Sequence, residues 1–473
     1  MKLFLVMPPI AISKGYYSTN SDFEFPVSLC YIAALMEKNG KKVKVFDGRL
    51  SQNLEEEFSN LLDKNNFDVI GFSTVTPSIT STMRLAALAK QKNPCIITII
   101  GGAHPTVVGP KVLEQFQDID IAVFGEGEQT VIELLQNLEE KKPLEKVCGI
   151  AFRKDSKIVQ TGKRELIKDL DALPYPAYHM VDLLKYGTNP GLFFEKPIIA
   201  IITSRGCPFD CNFCADTLIW QGKVRFRSAQ KVVDEMQLLV KEYGVKEIKF
   251  FDDTFTINRK RAVEICNEIL KRKLNVIWRC ASRVDAVDLE LLKLMKKSGC
   301  CSISFGLESG SDEILKRMNK RTTTQQGRVA VKLAKQAGLY VNGLFMLNYP
   351  GDTIETTEQT IRFSRELDLD YAGFNLVIPH FGTKMYKEIK DNYRVEPKVW
   401  DNPDAPLGNQ IYFYQDSLPS DYLIKAYRRA SLGFYMRPKI VFKSLLRIKN
   451  FAMLKSYIIG ALQLLKLRAK KSN

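Results

Sequence analysis

Long apolar runs, histidines and late acidic residues are all scarce in this chain of 473 residues. No stretch carries about 18 uninterrupted apolar residues, so no membrane-spanning helix is expected. Met1 to Pro9 is too short an apolar run for a signal peptide and has no small-residue cleavage site. Histidine occurs only at His104, His179 and His380, which leaves few imidazoles to bind a metal. Of the ten cysteines, Cys30, Cys95, Cys148, Cys266, Cys280, Cys300 and Cys301 are scattered, with neither a metal-ligand spacing nor a disulfide framework among them. A reducing cytoplasm fits that pattern. After Asp421 there is no acidic residue, whereas 13 lysines and arginines lie between Lys425 and Lys471. Removing those 13 from the 69 basic residues leaves 56 against 53 acidic ones, so nearly all of the +16 net charge belongs to one tail.

What is present is globular in composition and long enough for two to four domains. Lys2 to Met7 reads as a strand, about Val27 to Lys38 as a helix stopped by Asn39-Gly40, and Lys42 to Asp47 as a second strand. Helix and strand then alternate: Leu54 to Leu62, Asp68 to Ser73, about Thr80 to Lys92, Ile96 to Ile100, Lys111 to Gln117, Ile119 to Phe124 and Gln129 to Leu138. That alternation predicts a doubly wound parallel sheet, whose ligands gather at strand carboxyl ends. The groups placed there are Pro8-Pro9, Ser73-Thr74-Val75-Thr76, Gly101-Gly102-Ala103-His104 and Gly125-Glu126-Gly127-Glu128. Glycines allow close backbone approach to a bulky ligand, and the hydroxyls of Ser73, Thr74 and Thr76 suit amides or phosphate. A purely structural flavodoxin-like domain accounts for them nearly as well.

Gly149 to Thr161 reads as a hairpin, and Leu170 to Gly187, with Pro174 and Pro176, as a connector in which His179 has no ligand role. The stretch Ser204-Arg205-Gly206-Cys207-Pro208-Phe209-Asp210-Cys211-Asn212-Phe213-Cys214 follows an apolar strand, Ile199 to Thr203. Cysteines spaced by four and then three residues can turn their sulfurs toward one point, which suits an iron-sulfur cluster or zinc. In a cubane, three local thiolates leave one iron open to another ligand. Five more strands follow: Glu247 to Phe251, Asn275 to Ala281, Cys301 to Phe305, Tyr340 to Leu347 and Tyr371 to Ile378. Each leads into a polar or glycine-rich turn, and the six together predict a partial β/α barrel.

The string Cys-x3-Cys-x-Phe-Cys closely resembles the signature of the radical S-adenosylmethionine (SAM) superfamily. The strings Gly-Gly-x-His-Pro-Thr and Gly-Glu-Gly-Glu-x-Thr are similar to those of cobalamin-binding domains fused ahead of such barrels. That likeness covers roughly residues 1 to 140. This sequence lacks the Asp-x-His-x-x-Gly motif whose histidine ligates cobalt in many cobalamin domains, so only His104 is placed to serve there. The resemblance implies a 4Fe-4S cluster on Cys207, Cys211 and Cys214 that chelates SAM at its open iron. Phe213 would lie near adenine, Asp252 and Asp253 would accept from the SAM ammonium, Arg283 would neutralise its carboxylate, and Glu308 would accept from the ribose. Cobalamin would meet Ser73, Thr74, Gly101, Gly102, His104, Glu126, Gly127 and Glu128. The implied chemistry is reductive cleavage of SAM to a 5′-deoxyadenosyl radical, hydrogen abstraction from an unreactive carbon, and methyl transfer from methylcobalamin. The reducing electron would come from a donor such as flavodoxin or ferredoxin. Methylthiotransferases share this layout but need three further cluster cysteines upstream, a set that Cys30, Cys95 and Cys148 do not resemble.

The expected division is a cobalamin-binding-like domain over 1–145, a hairpin and connector over 146–192, the radical SAM partial barrel over 193–388 and a basic, largely helical region over 389–473. In that last region Lys439 to Lys449 and Phe451 to Leu467 interleave apolar with basic residues. Such faces suit an anionic lipid surface, and a helical cap with solvated lysines explains them nearly as well. No nucleic-acid reader motif accompanies the charge. The expected enzyme is therefore a cytoplasmic C-methyltransferase of an apolar or lipid-like molecule, peripheral at the inner membrane surface. The alternatives are radical ring closure or rearrangement, and a non-catalytic corrinoid or redox sensor. Asp352, in Pro350-Gly351-Asp352-Thr353, is expected to cap the following helix.

Overall fold

The computed structural model describes residues 1–10, 24–186, 194–396 and 410–448, together with helical positions Leu454, Ile458 and Leu462. The chain divides into two compact units. Most of the stretch expected at Phe451 to Leu467 lies outside the described residues.

The first unit contains Met1–Lys185 and Ala215–Arg225. Its sheet comprises β1 (Lys2–Met7), β2 (Lys42–Asp47), β3 (Val69–Ser73), β4 (Ile97–Gly101), β5 (Ile121–Val123), β6 (Ile150–Lys154) and β7 (Lys157–Gln160), in the order β2-β1-β3-β4-β5-β6-β7. The first five are parallel, and the hairpin β6-β7 adds an antiparallel edge to β5. Helices α1 (Val27–Lys38), α2 (Leu54–Asp63), α3 (Ile79–Lys92), α4 (Ala103–Val108), α5 (Lys111–Gln115), α6 (Gly127–Glu139) and α7 (Asp216–Trp220) complete it. Leu3 to Val6 are all buried, as a strand covered on both faces requires. Phe4 anchors the core, its ring centroid 4.4 Å from that of Phe67 and 5.7 Å from that of Phe58. Ala103–Val108 form the short helix α4, whose first turn tolerates Pro105.

The second unit is a barrel segment of six parallel strands: β8 (Ile198–Ile201), β9 (Glu247–Phe250), β10 (Ile277–Ser282), β11 (Cys300–Glu308), β12 (Tyr340–Leu347) and β13 (Tyr371–Leu376). They pair in sequence order, with β8 and β13 as the outer strands. The helices are α8 (Ala229–Tyr243), α9 (Arg259–Lys271), α10 (Leu289–Lys297), α11 (Asp312–Arg317), α12 (Thr324–Gln336), α13 (Ile354–Glu366), α14 (Lys384–Asn392), α15 (Ser420–Tyr435) and α16 (Pro438–Leu446). Ser228, Asn258, Asp288, Thr323 and Thr353 each accept a bond from the third backbone amide of the helix they start. The cap of α13 is therefore Thr353. Asp352 instead accepts from the Tyr349 amide and the Thr356 hydroxyl, both at 2.8 Å.

Phe345 packs outward against Phe363 of α13, and Trp278 donates to the Ser298 carbonyl at the end of α10. Leu344, beside Phe345 on β12, therefore turns to the opposite face and is 39% exposed, and Phe251, just past the end of β9, is 52% exposed.

Candidate active site

The cysteine loop leaves β8 at the barrel's carboxyl-terminal end, as the sequence predicts. Gly206 has φ +91, a conformation that only glycine adopts freely, and it turns the chain into Cys207. Cys207, Cys211 and Cys214 form no disulfide, and each is partly exposed. Among the described residues no three His, Cys, Asp or Glu side chains gather around one metal ion. Three cysteine thiols on one loop are the donor type an iron-sulfur cluster takes.

The loop is strapped to the segment that closes α11. The Asn212 amide donates to the Met318 carbonyl at 2.9 Å, and its side chain donates to the Arg317 carbonyl at 2.8 Å. Asp210 accepts from Asn319 at 2.9 Å and Arg321 at 2.8 Å. Asn319 and Arg321 both hold positive φ, which bends the segment around the loop. Arg317 also donates to the Pro350 carbonyl at 3.1 Å, while Gln415 accepts from Gly351 and donates to the Tyr349 carbonyl, both at 2.9 Å. One hydrogen-bonded chain therefore runs from the cysteine loop through Arg317 to the turn after β12.

Two cations flank the loop. The Arg283 guanidinium lies 3.6 Å from the Phe209 ring centroid, and the Lys320 ammonium lies 5.7 Å from that of Phe213. Burial pushes the Cys211 thiol above its ordinary pKa, while Lys320 and Arg283 draw it down. Soft thiols on a rigid loop beside fixed positive charge fit an anionic, thiolate-bound iron-sulfur cluster.

The remaining expected partners of SAM divide. Asp252 is buried, and it accepts from the Thr203 amide at 2.7 Å, the Ser204 hydroxyl at 2.7 Å and the Thr203 hydroxyl. Its oxygens thus tie the end of β9 to that of β8. Asp253, one residue on, is exposed. Arg283 gives its fork to Asp285 at 2.9 Å and to the Lys320 carbonyl at 2.8 Å. Glu308 is buried with φ +61 and accepts from Lys320 at 2.7 Å. Gly306 makes room for that pair, since a Cβ there would meet the Lys320 nitrogen at 2.9 Å. Lys320 and the 317–321 strap escaped the sequence reading because they follow a short helix rather than a strand end.

In the first unit, the carboxyl-terminal edge of the sheet is tightly built. Gly102, at φ +100, presses on Thr74, where a Cβ would come within 2.7 Å of the Thr74 carbonyl oxygen. The Thr74 hydroxyl turns inward to Thr82 at 3.0 Å. Glu126 accepts from the Ile167 amide at 2.6 Å and pairs with Arg225 at 2.7 Å, its own side chain buried and that of Arg225 nearly so. Glu128 is buried, and Gly127 opens α6 against Ile32. His104 is buried, its Nδ1 lies 3.1 Å from the Thr76 hydroxyl, and burial lowers its pKa to about 4, so the ring is neutral. His179 sits outside this edge, its Nε2 2.9 Å from Glu37. Gly101 and Gly125 each leave space where a side chain would stand, with nothing closer than 3.9 Å to the former and nothing within 4 Å of the latter. Ser73 is partly buried beside them, and Glu126 is paired with Arg225. The open space at Gly101 and Gly125 beside Ser73 fits a broad, flat macrocycle such as a corrin.

Residues 201–364 match the Radical SAM superfamily, and residues 20–135 match the B12 binding domain. An uncharacterized methyltransferase of Pyrococcus horikoshii is 33% identical over 467 residues, covering 98% of each chain. The anaerobic magnesium-protoporphyrin IX monomethyl ester cyclase of Rubrivivax gelatinosus is 32% identical over 82% of this chain and 71% of its own. The radical S-adenosylmethionine methyltransferase TsrM of Kitasatospora setae, solved with cobalamin and a 4Fe-4S cluster bound, shares the fold with a TM-score of 0.71. It is 17% identical over 93% of this chain and 90% of that one.

Proposed function

Since this chain belongs to the radical SAM superfamily and carries a B12-binding domain, we propose that it is a C-methyltransferase acting on an unreactive carbon of an apolar or lipid-like small molecule. The observation that carries the reading is the cysteine loop, fixed by the 317–321 strap at the carboxyl end of β8 with two cations beside it. An apolar substrate is supported by Leu344 on β12 and Phe251 just past β9, large apolar side chains left exposed.

When bound, the cluster, SAM and the corrinoid supply radical generation and a transferable methyl group. The chain's own part is binding and orientation. Cys207, Cys211 and Cys214 would hold the cluster, and Phe213 would flank the adenine. Asp253 would accept from the SAM ammonium. Lys320 would offer a positive charge to the carboxylate, with Glu308 holding it in place and turning its second oxygen to the ribose. Arg283 would act as a positioning residue, setting the loop through Phe209. Ser73, Gly101 and Gly125 would face the corrin, with neutral His104 wedged behind them. The functional division at 1–145, 146–192, 193–388 and 389–473 belongs to the same proposal. So do reduction by a flavodoxin or ferredoxin and a cytoplasmic location with peripheral membrane contact through the C-terminal region.

A second reading, ring closure without methyl transfer, is favoured by the cyclase relative. Anaerobic purification with added cobalamin, followed by incubation with methyl-labelled SAM, separates the two. Methyl transfer predicts bound corrinoid and label in an apolar product. Bound iron with 5′-deoxyadenosine release but no label transfer would favour ring closure instead.

A further inference from the structure

Helix α16 is amphipathic in an inverted sense. Lys443 reaches Asp370 at 2.7 Å and Asp368 at 3.4 Å, Lys439 reaches Asp368 at 2.9 Å, and Ile440 is buried. The helix therefore uses its charges to hold itself on the barrel. Its apolar side chains point away: Val441 is 42% exposed, Phe442 63%, Leu445 59% and Leu446 69%. At 100° per residue these four cover an arc of about 140°, a continuous face rather than scattered residues. Met436, just before the helix, is 58% exposed. Leu454, Ile458 and Leu462, spaced four apart and helical, are exposed as well. Apolar area of this extent on a water-soluble surface marks an interaction site.

Charge selects the occupant. No acidic residue follows Asp421, and 13 basic ones lie between Lys425 and Lys471. The barrel supplies Glu358, Asp368 and Asp370 as partners for Arg429, Lys439 and Lys443. A partner that meets both an apolar face and a cationic tail must offer apolar depth beneath a negative surface. An anionic bilayer has both, with acyl chains below phosphate headgroups. Arg447, its guanidinium carbon 4.2 Å from the Tyr340 ring centroid and 4.4 Å from that of Phe194, holds the end of the helix on the barrel, so the face is presented rigidly.

We propose that the outward face of α16 docks the protein on an anionic lipid bilayer. The inference deepens the membrane contact proposed above and rests on that reading, not on the chemistry of the barrel.

The test is flotation of the full-length, anaerobically purified protein with vesicles of phosphatidylcholine alone or with about one-third phosphatidylglycerol. Beside it runs the double variant Phe442→Gln, Leu446→Gln, whose substitutions are exposed and leave the anchoring lysines in place. Wild type should float with the anionic vesicles about tenfold better than with the neutral ones, and raised salt should weaken this as the Debye length shrinks. The double variant should lose that binding while keeping iron content, melting temperature and SAM cleavage. Equal flotation of variant and wild type, or none by either, overturns the proposal. So does a dimer formed without lipid that the double variant abolishes, since the face would then join two copies of this chain. Protein that cleaves SAM but does not float defeats the docking alone, and protein that floats without iron defeats the enzymatic reading alone.

Discussion

Arg283 lies flat on Phe209, its guanidinium carbon 3.6 Å from the ring centroid, while its fork is held by Asp285 and the Lys320 carbonyl. The side chain is buried, so this contact joins the strand end of β10 to the loop that carries the cysteines. Replacing Arg283 with lysine keeps the charge and loses both the stacking and the paired hydrogen bonds. The expected cost is about 1–3 kcal/mol, seen as a melting temperature lower by several degrees. Iron retained after anaerobic purification should fall with it. An unchanged melting temperature and full iron content would show that the stack is incidental.

A side chain at Gly306 should displace the Glu308–Lys320 pair, because a Cβ would meet the Lys320 nitrogen at 2.9 Å and crowd the Glu308 carboxylate. Gly306→Ala is expected to separate that ion pair and weaken SAM binding by about tenfold, the effect of one lost charge-assisted bond. Equilibrium dialysis with labelled SAM measures it.

His104 makes the first unit sensitive to acid. Its pKa is lowered from 6.5 to about 4 by burial, so the unfolded chain takes up a proton that the folded one refuses. The stabilisation is whole above about pH 6.5 and is lost as pH falls toward 4, amounting to about 3 kcal/mol. Asp352 acts in reverse, its pKa raised by burial to about 6, so its contribution falls as pH rises toward that value. Urea unfolding at pH 7 and pH 4.5, compared between wild type and His104→Gln, isolates the histidine. The difference between the two proteins should change by a few kcal/mol across that range, and a constant difference would contradict the assignment.

Glu126→Gln tests whether this carboxylate is structural. It leaves Arg225 buried without its counter-charge, and breaking such a pair costs about 3–5 kcal/mol. The cofactor-free protein should lose stability by that amount in urea. Unaltered stability with lost corrinoid binding would return Glu126 to the ligand role its sequence motif suggests.

The sheets were legible because buried parallel strands read as short apolar runs between glycine and polar turns, and the polar turns fell at their carboxyl ends as that geometry demands. Side-chain direction was not. Phe250 and Phe251 are both aromatic, so the strand gives no clue to which of Asp252 and Asp253 is buried, and only the fold brings Thr203 and Ser204 against Asp252. The strap at 317–321 was hidden for another reason. It follows the short helix α11, whose six residues show little periodicity, and its bonds to the loop are made largely by backbone carbonyls that any residue supplies. The partner of Glu126 was equally out of reach. A carboxylate beside two glycines suggests a ligand contact, and only the fold brings Arg225, 99 positions away, against it.

The central claim is that Cys207, Cys211 and Cys214 hold the cluster that cleaves SAM. Anaerobically reconstituted protein, reduced and given SAM, should carry about four irons per chain at this loop. It should release 5′-deoxyadenosine, and replacing all three cysteines with alanine should abolish both the iron and the product. Undiminished 5′-deoxyadenosine from the triple variant would contradict the account.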